Sequence, residues 1–147
     1  MIRRRSVIGG LMIGPLLSGM GLGQDANDGA MAMRVRVVFG KQSFTATLED
    51  NASAREFAAM LPLELTISDF GGNEKIAYLP RKLTELVRGP VPDASAGDLC
   101  YYVPWGNLAF FHGSYESTGD LVWLGRLDDG VEPLLVRGEF PVRIGGL

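Results

Sequence analysis

The sequence contains only one cysteine, Cys100, and only one histidine, His112. A single cysteine excludes an intramolecular disulfide, and we expect Cys100, which lies in an apolar run, to be a buried and inert thiol. One histidine and one distant cysteine make a poor metal site, so we predict a structural role for His112. The chain also lacks a glycine-rich phosphate loop and a serine nucleophile elbow. These absences lead us to predict no bound metal and no cofactor.

The N-terminal segment has the features of an export signal. Three arginines precede an apolar run at residues 7–22, which glycines and a proline interrupt and which falls short of the ~20 apolar residues of a membrane span. The residues RRSVI at positions 4–8 resemble the twin-arginine pattern. We therefore expect residues 1–26 to be a signal peptide and 27–32 a flexible lead-in, with a retained anchor or a disordered tail as the alternatives. The mature protein would then be periplasmic or secreted, with no stable membrane span.

Positive charge is scarce in the rest of the chain. Removing the three signal-peptide arginines from the 14 basic residues leaves 11 against 17 acidic ones, a formal charge of −6. Nucleic acids and anionic membrane surfaces attract basic patches, so this balance argues against both as partners.

Apart from these absences, the sequence is rich in turn residues, with 20 glycines and eight prolines. Alternating apolar residues predict a hairpin over 34–48 and further strands at 63–67, 76–79, 121–127 and 140–144. Residues 53–61 predict one amphipathic helix, with Ser53 and Glu56 forming a capping box and Pro62 ending the helix. We expect helical turns at 83–87 and 131–136. About seven or eight short strands in one domain predict a mainly β barrel or sandwich, with the helix at an open end.

The central stretch, Gly97 to Phe111, predicts two buried strands joined by a Pro-Trp-Gly-Asn corner. Glycine and asparagine tolerate positive φ angles and proline fixes its own, so this corner should be tight. A long irregular connection, residues 80–96, precedes it, and long connections are often functional. We expect a groove where the corner and this connection meet.

Two segments resemble a known family. KIAYLPRKL at residues 75–83 and AGDLCYYVPWGNLAFF at residues 96–111 are similar to the bacterial cyclophilin-like domain, whose function is largely undefined. The resemblance extends over nearly all of residues 33–144 and implies a closed β-barrel of about eight strands in a domain at 33–147. Most motifs of the prolyl isomerase site of true cyclophilins are missing, and fold alone does not establish function.

The residues we expect to line the groove are Tyr102, Trp105, Asn107 and Phe111. Our leading hypothesis is a binding module for a peptide or a small molecule. The alternative is a peptidyl-prolyl isomerase with a divergent site, in which Arg81 would donate to the prolyl nitrogen and the same aromatic residues would form the walls. A third possibility is an assembly role, with the aromatic corner buried between subunits.

Three other charged residues lie in or beside predicted turns. Glu74 and Lys75 flank the turn at 71–73, and Asp98 follows Gly97. Charges at such positions are usually solvated, so we predict that all three are exposed.

Overall fold

The computed structural model describes residues 33–147, which form a closed β-barrel of eight antiparallel strands. The strands are β1 Arg34–Phe39, β2 Gln42–Leu48, β3 Leu63–Phe70, β4 Glu74–Tyr78, β5 Asp98–Tyr102, β6 Asn107–Phe111, β7 Leu121–Leu127 and β8 Phe140–Gly146. One helix, α1, spans Ala52–Ala59, and a 3₁₀ turn spans Glu132–Leu135. The structure therefore confirms the predicted β-barrel.

Around the barrel the strands follow the order β1-β2-β7-β5-β6-β4-β3-β8, and β8 pairs with β1 to close it. The predicted hairpin at 34–48 is β1 and β2, and the two strands of the central stretch are β5 and β6. Residues 83–87 form no helical turn, contrary to our prediction. The predicted export signal, 1–26, and the lead-in, 27–32, lie outside the described residues. Within 33–147, no helix is both long and apolar enough to cross a membrane.

The barrel interior is filled by side chains, as expected for a barrel of eight strands. Alternate residues of each strand point inward, such as Val35 and Val37 on β1 and Leu108 and Phe110 on β6. Phe57 of α1 joins this core and is fully buried. The interior therefore leaves no room for a ligand, and any cavity must lie outside it.

Helix α1 begins differently from our prediction. Its N-cap is Asn51, whose side-chain oxygen accepts a hydrogen bond from the Ala54 amide at 2.8 Å. Ser53 instead bonds to the long connection, donating to the Glu85 carbonyl and accepting from the Val87 amide at 2.8 Å. The predicted capping box is therefore wrong, because an asparagine two residues earlier caps the helix equally well.

Lys75 is fully buried, which contradicts its prediction as a solvated turn residue. β4 begins at Glu74 rather than at residue 76, and pairing opposite Phe110 turns Lys75 toward the interior. Its ammonium donates to Asp69 at 2.7 Å and lies 5.6 Å from the centre of the Phe39 ring. The Lys75 charge adds to burial in lowering the pKa of His112, which is partly buried nearby.

The barrel wall at β5 and β6 is buried on both faces. Its outward residues Cys100, Ala109 and Phe111 form a small second core with Val91 of the long connection. The Val91 amide donates to Ser117 at 2.8 Å, which joins the long connection to the β6–β7 connection. Two loops therefore cover part of the outer wall and leave a recess beside them.

Candidate functional site

A pocket of about 430 Å³ lies on the outer wall of the barrel. All four predicted groove residues line it: Tyr102, Trp105, Asn107 and Phe111. Further lining residues come from the β3–β4 hairpin, the β6–β7 connection and the start of β7, namely Phe70, Asn73, Glu74, Ile76, Tyr115, Glu116, Thr118 and Leu121. The cavity volume is in the range of small-molecule sites, ~300–1,000 Å³.

One wall of the pocket consists of three aromatic rings, and the central one, Trp105, is perpendicular to each of the other two. The Trp105 ring meets Tyr102 edge to face at 5.5 Å between centroids and Phe70 at 5.4 Å. The corner turns at Gly106, which has φ +75° and whose amide donates to the Tyr102 carbonyl at 2.9 Å. Trp105 and Phe70 remain 48% and 44% exposed, so two large apolar rings face solvent beside the cavity.

The opposite wall is a stacked pair, Phe111 and Tyr115, with ring centroids 3.7 Å apart and planes 7° from parallel. The Tyr115 hydroxyl donates to Asp98 at 2.7 Å, and Arg126 donates to the same carboxylate at 2.7 Å. Burial and then the bond to Asp98 raise the pKa of Tyr115, so this ring stays neutral. Asp98 thus fixes the position of the wall.

Asp98 is completely buried, contrary to its predicted exposure. It caps a local turn, accepting from the Ser95 amide at 2.8 Å, but its other bonds reach across the sheet. Cys100 lies close by, with its sulfur 3.6 Å from the Tyr115 hydroxyl. Burial raises the pKa of the Cys100 thiol to about 12, which agrees with the predicted inert thiol.

Asn107 is 1% exposed and lines the pocket. Its Nδ2 donates to the Leu108 carbonyl at 3.0 Å, and among the described residues its Oδ1 has no hydrogen-bond partner. The amide cannot simply turn over, because its oxygen would then face the Leu108 carbonyl oxygen. A buried acceptor with no partner costs about 1–3 kcal/mol.

The charged residues that line the pocket are both acidic, Glu74 and Glu116. Burial raises the pKa of Glu74, which is only partly exposed rather than fully solvated as predicted. Lys82, a basic residue at the corner, donates to the Pro104 carbonyl at 3.4 Å but is not a lining residue. The lining therefore combines aromatic rings, two carboxyl groups and a free amide oxygen.

Arg81, the predicted donor of the isomerase alternative, does not line the pocket. Its guanidinium pairs with Glu56 of α1. None of residues 80–96 lines the pocket either, although Val91 packs in the same outer cluster as Phe111. The structure thus brings the four predicted groove residues together and leaves Arg81 apart from them.

Phe70 and Tyr115 are the principal lining residues that sequence reasoning missed. Tyr115 lies in the segment 113–119, which the sequence predicts to be a polar connection, and Phe70 directly precedes the turn that begins at Gly71. Phe70 reaches the pocket because β4 pairs with β6, as in Glu74 opposite Phe111, and Tyr115 reaches it because the β6–β7 connection stacks its ring on Phe111. The only signal in the sequence was the presence of an aromatic residue in each turn segment.

Fold and site together define a closed antiparallel β-barrel with an aromatic pocket on its outer wall. The sequence matches the cyclophilin-like family over residues 37–145, and the chain belongs to this family. This confirms the resemblance seen in the sequence. Among solved structures, the chain is similar to a hypothetical protein of Archaeoglobus fulgidus determined in solution, with 19% identity and a TM-score of 0.60 over 78% of this chain and 94% of that one. That likeness shows the fold alone. No curated protein matched the sequence.

Proposed function

We propose that this protein is an exported binding module that holds a small molecule or a peptide segment in the outer pocket. The observation that carries the proposal is the aromatic-lined cavity on the outer wall, whose lining includes Asn107, a buried residue with an Oδ1 that has no partner among residues 33–147. A concave apolar site with a few converging polar groups is the usual form of a ligand site. The exposed rings of Trp105 and Phe70 would lose solvent contact when a ligand binds, and aromatic burial is a large source of binding energy.

A neutral fluorescent dye, Nile red, tests the site without assuming a ligand charge. The wild-type protein should bind one dye molecule with a blue shift of its emission, and Trp105→Ala should weaken this binding by at least tenfold. Tyr78→Ala is the matched control, because Tyr78 is a 52% exposed aromatic residue on β4 that does not line the pocket.

Binding that Trp105→Ala and Tyr78→Ala weaken equally would show nonspecific adsorption to exposed rings. The proposal would also fail if the wild-type protein bound no dye. Far-ultraviolet circular dichroism of both variants would verify that the barrel is intact, since both replaced side chains are largely exposed.

A further inference from the structure

We infer that the pocket is selective for an organic cation, an alkylated ammonium group carried by a small molecule or by a lysine side chain. This inference rests on the proposed binding function and specifies the chemistry of its ligand. It combines three independent features of the lining: the aromatic walls, the sign of the charged residues and the free oxygen of Asn107.

The pocket is lined by aromatic rings, whose π faces attract cations. Trp105 is set perpendicular to both Tyr102 and Phe70, so the faces of these rings point in different directions around one corner. The stacked pair of Phe111 and Tyr115 forms a separate wall. A cation over a tryptophan or tyrosine face is attracted by the negative charge density of the ring, and cages of such rings recognise methylated ammonium groups.

The charged residues of the lining also favour a cationic ligand. Glu74 and Glu116 are the lining residues that can ionise at neutral pH, and no lysine, arginine or histidine is among the lining residues of the described chain. An anionic ligand would meet two carboxylates with no cation to balance them. A cationic ligand would be attracted by both, most strongly by the partly buried Glu74, where screening by water is reduced.

The uncharged side chain of Asn107 is consistent with the same preference for a cationic ligand. Its Nδ2 donates to the Leu108 carbonyl, so the atom without a partner among residues 33–147 is an oxygen and not an N–H donor. The residue is 1% exposed, which makes this acceptor part of a built site rather than a solvated surface group. The oxygen itself is almost inaccessible to solvent, so an ammonium N–H, or a hydroxyl carried beside a quaternary ammonium, would complete its hydrogen bonding once the side chain shifts toward the cavity.

Choline and 3,3-dimethylbutan-1-ol, its uncharged carbon isostere, have nearly the same shape. A comparison of their affinities therefore measures how much the positive charge contributes to binding. Titrations followed by NMR shifts of the Trp105 indole N–H and the Asn107 side-chain amide should show choline binding at least tenfold more tightly than the isostere. The methylamide of N-acetyl-trimethyllysine provides the peptide arm. Tighter binding of choline would assign a free small molecule, and tighter binding of the lysine derivative would assign a side chain; either supports a cation site.

Variants of the carboxylates test the source of the selectivity. Glu74→Gln and Glu116→Gln should each weaken choline binding about three- to tenfold and change Nile red binding by a clearly smaller factor. Glu116 is exposed, so its replacement does not endanger the fold. Glu64→Gln, which alters an exposed carboxylate paired with Arg143 away from the pocket, should change neither.

Equal affinities for choline and its isostere would overturn the inference, as would unchanged choline binding in both pocket variants. Absence of choline and trimethyllysine binding in a protein that binds Nile red would refute cation selectivity and leave the binding pocket standing. Absence of all binding would refute the proposed function itself.

Discussion

Glu56 joins helix α1 to the long connection, and replacing it with glutamine should lower the stability of the barrel. Its carboxylate accepts hydrogen bonds from the Thr84 amide at 2.9 Å and the Glu85 amide at 2.7 Å, and it pairs with Arg81. No other side chain of α1 is bonded to this many groups of the connection among the described residues. Glu56→Gln keeps the shape of the side chain and removes its charge.

The effect can be estimated from the protonation of Glu56. Burial alone would raise the pKa of Glu56, but the hydrogen bonds from Arg81, Glu85 and Thr84 outweigh it and lower this pKa from 4.5 to about 2. At ~1.4 kcal/mol for each pKa unit, this corresponds to at most ~3 kcal/mol of stability. Because the side chain is 11% exposed and its partners lie at the surface, screening by water reduces the expected value to about 1–2 kcal/mol.

The sign of the pH dependence follows from the same shift. The folded-state pKa of Glu56 is lower than the unfolded one, so its contribution is complete at neutral pH and is lost as the pH falls from about 5 towards 2. Urea unfolding of the wild type and Glu56→Gln at pH 7 should differ by ~0.5–1 M in midpoint, given urea slopes of ~1–3 kcal/mol per molar. The difference should be smaller at pH 3.

Glu64→Gln is the matched control, since Glu64 pairs with Arg143 in an ion pair whose side chains are 78% and 60% exposed. Such pairs contribute about 0–1 kcal/mol, so its midpoint should stay close to the wild type. The reasoning would be refuted if Glu56→Gln unfolded at the wild-type midpoint at pH 7, or if its deficit were the same at pH 3.

Two further substitutions test the barrel. Asp69→Ala leaves the fully buried Lys75 ammonium without its carboxylate and should lower stability by ~3–5 kcal/mol in urea unfolding. Lys75→Met should lower stability less, because Asp69 keeps Arg137 and the Gly138 amide as partners; the reverse order would contradict the ion-pair argument. Gly125→Ala should lower the melting temperature, because its Cβ would lie 2.4 Å from the Thr47 carbonyl oxygen on the neighbouring strand, at a cost of at least ~1–3 kcal/mol. Gly119→Ala, with no atom within 4 Å of the added Cβ, should melt close to the wild type.

Much of this fold could be predicted from the sequence because strands such as β1 and β2 alternate between buried and more exposed residues. On β1, the residues at 35, 37 and 39 are buried while those at 34, 36 and 38 are exposed. The turns were marked by glycines that the structure places at positive φ, such as Gly40 and Gly71. Local patterns of this kind depend only on neighbouring residues, so they can be recognised in the sequence before the barrel structure is known.

The failures occurred where burial is decided by strand register. Asp98 and Lys75 both stand beside turns, and turn chemistry predicts solvated charges. Asp98 lies in β5, which is buried on both faces, and it pairs with Arg126 of β7. Lys75 lies in β4 with its side chain turned inward, and it pairs with Asp69 across the β3–β4 hairpin. β4 starts at Glu74, two residues before the predicted start, so Lys75 lies within the strand on the same inward face as Ala77, and the sequence does not fix such a boundary.

The candidate site could be predicted in part for a similar reason. The strand pairing that places Asn107 opposite Tyr102 is a hairpin pairing, so the two residues are close in sequence and their shared face could be inferred. Phe70 and Tyr115 reach the pocket only because β4 pairs with β6 and because the 112–120 connection folds back over the wall. The lining residues of the local β5–β6 hairpin could therefore be predicted from the sequence, and those of the distant segments could not.

The position of the pocket follows from the size of the barrel. Eight strands enclose an interior that side chains such as Phe57 and Phe110 fill, so a ligand cannot enter without unfolding the core. The outer wall is available where two connections cover it incompletely, and these loops can change without disturbing the interior. Under the proposed cation selectivity, this separation would allow substitutions at the lining residues Glu74 and Glu116 to change the ligand preference without altering the barrel core.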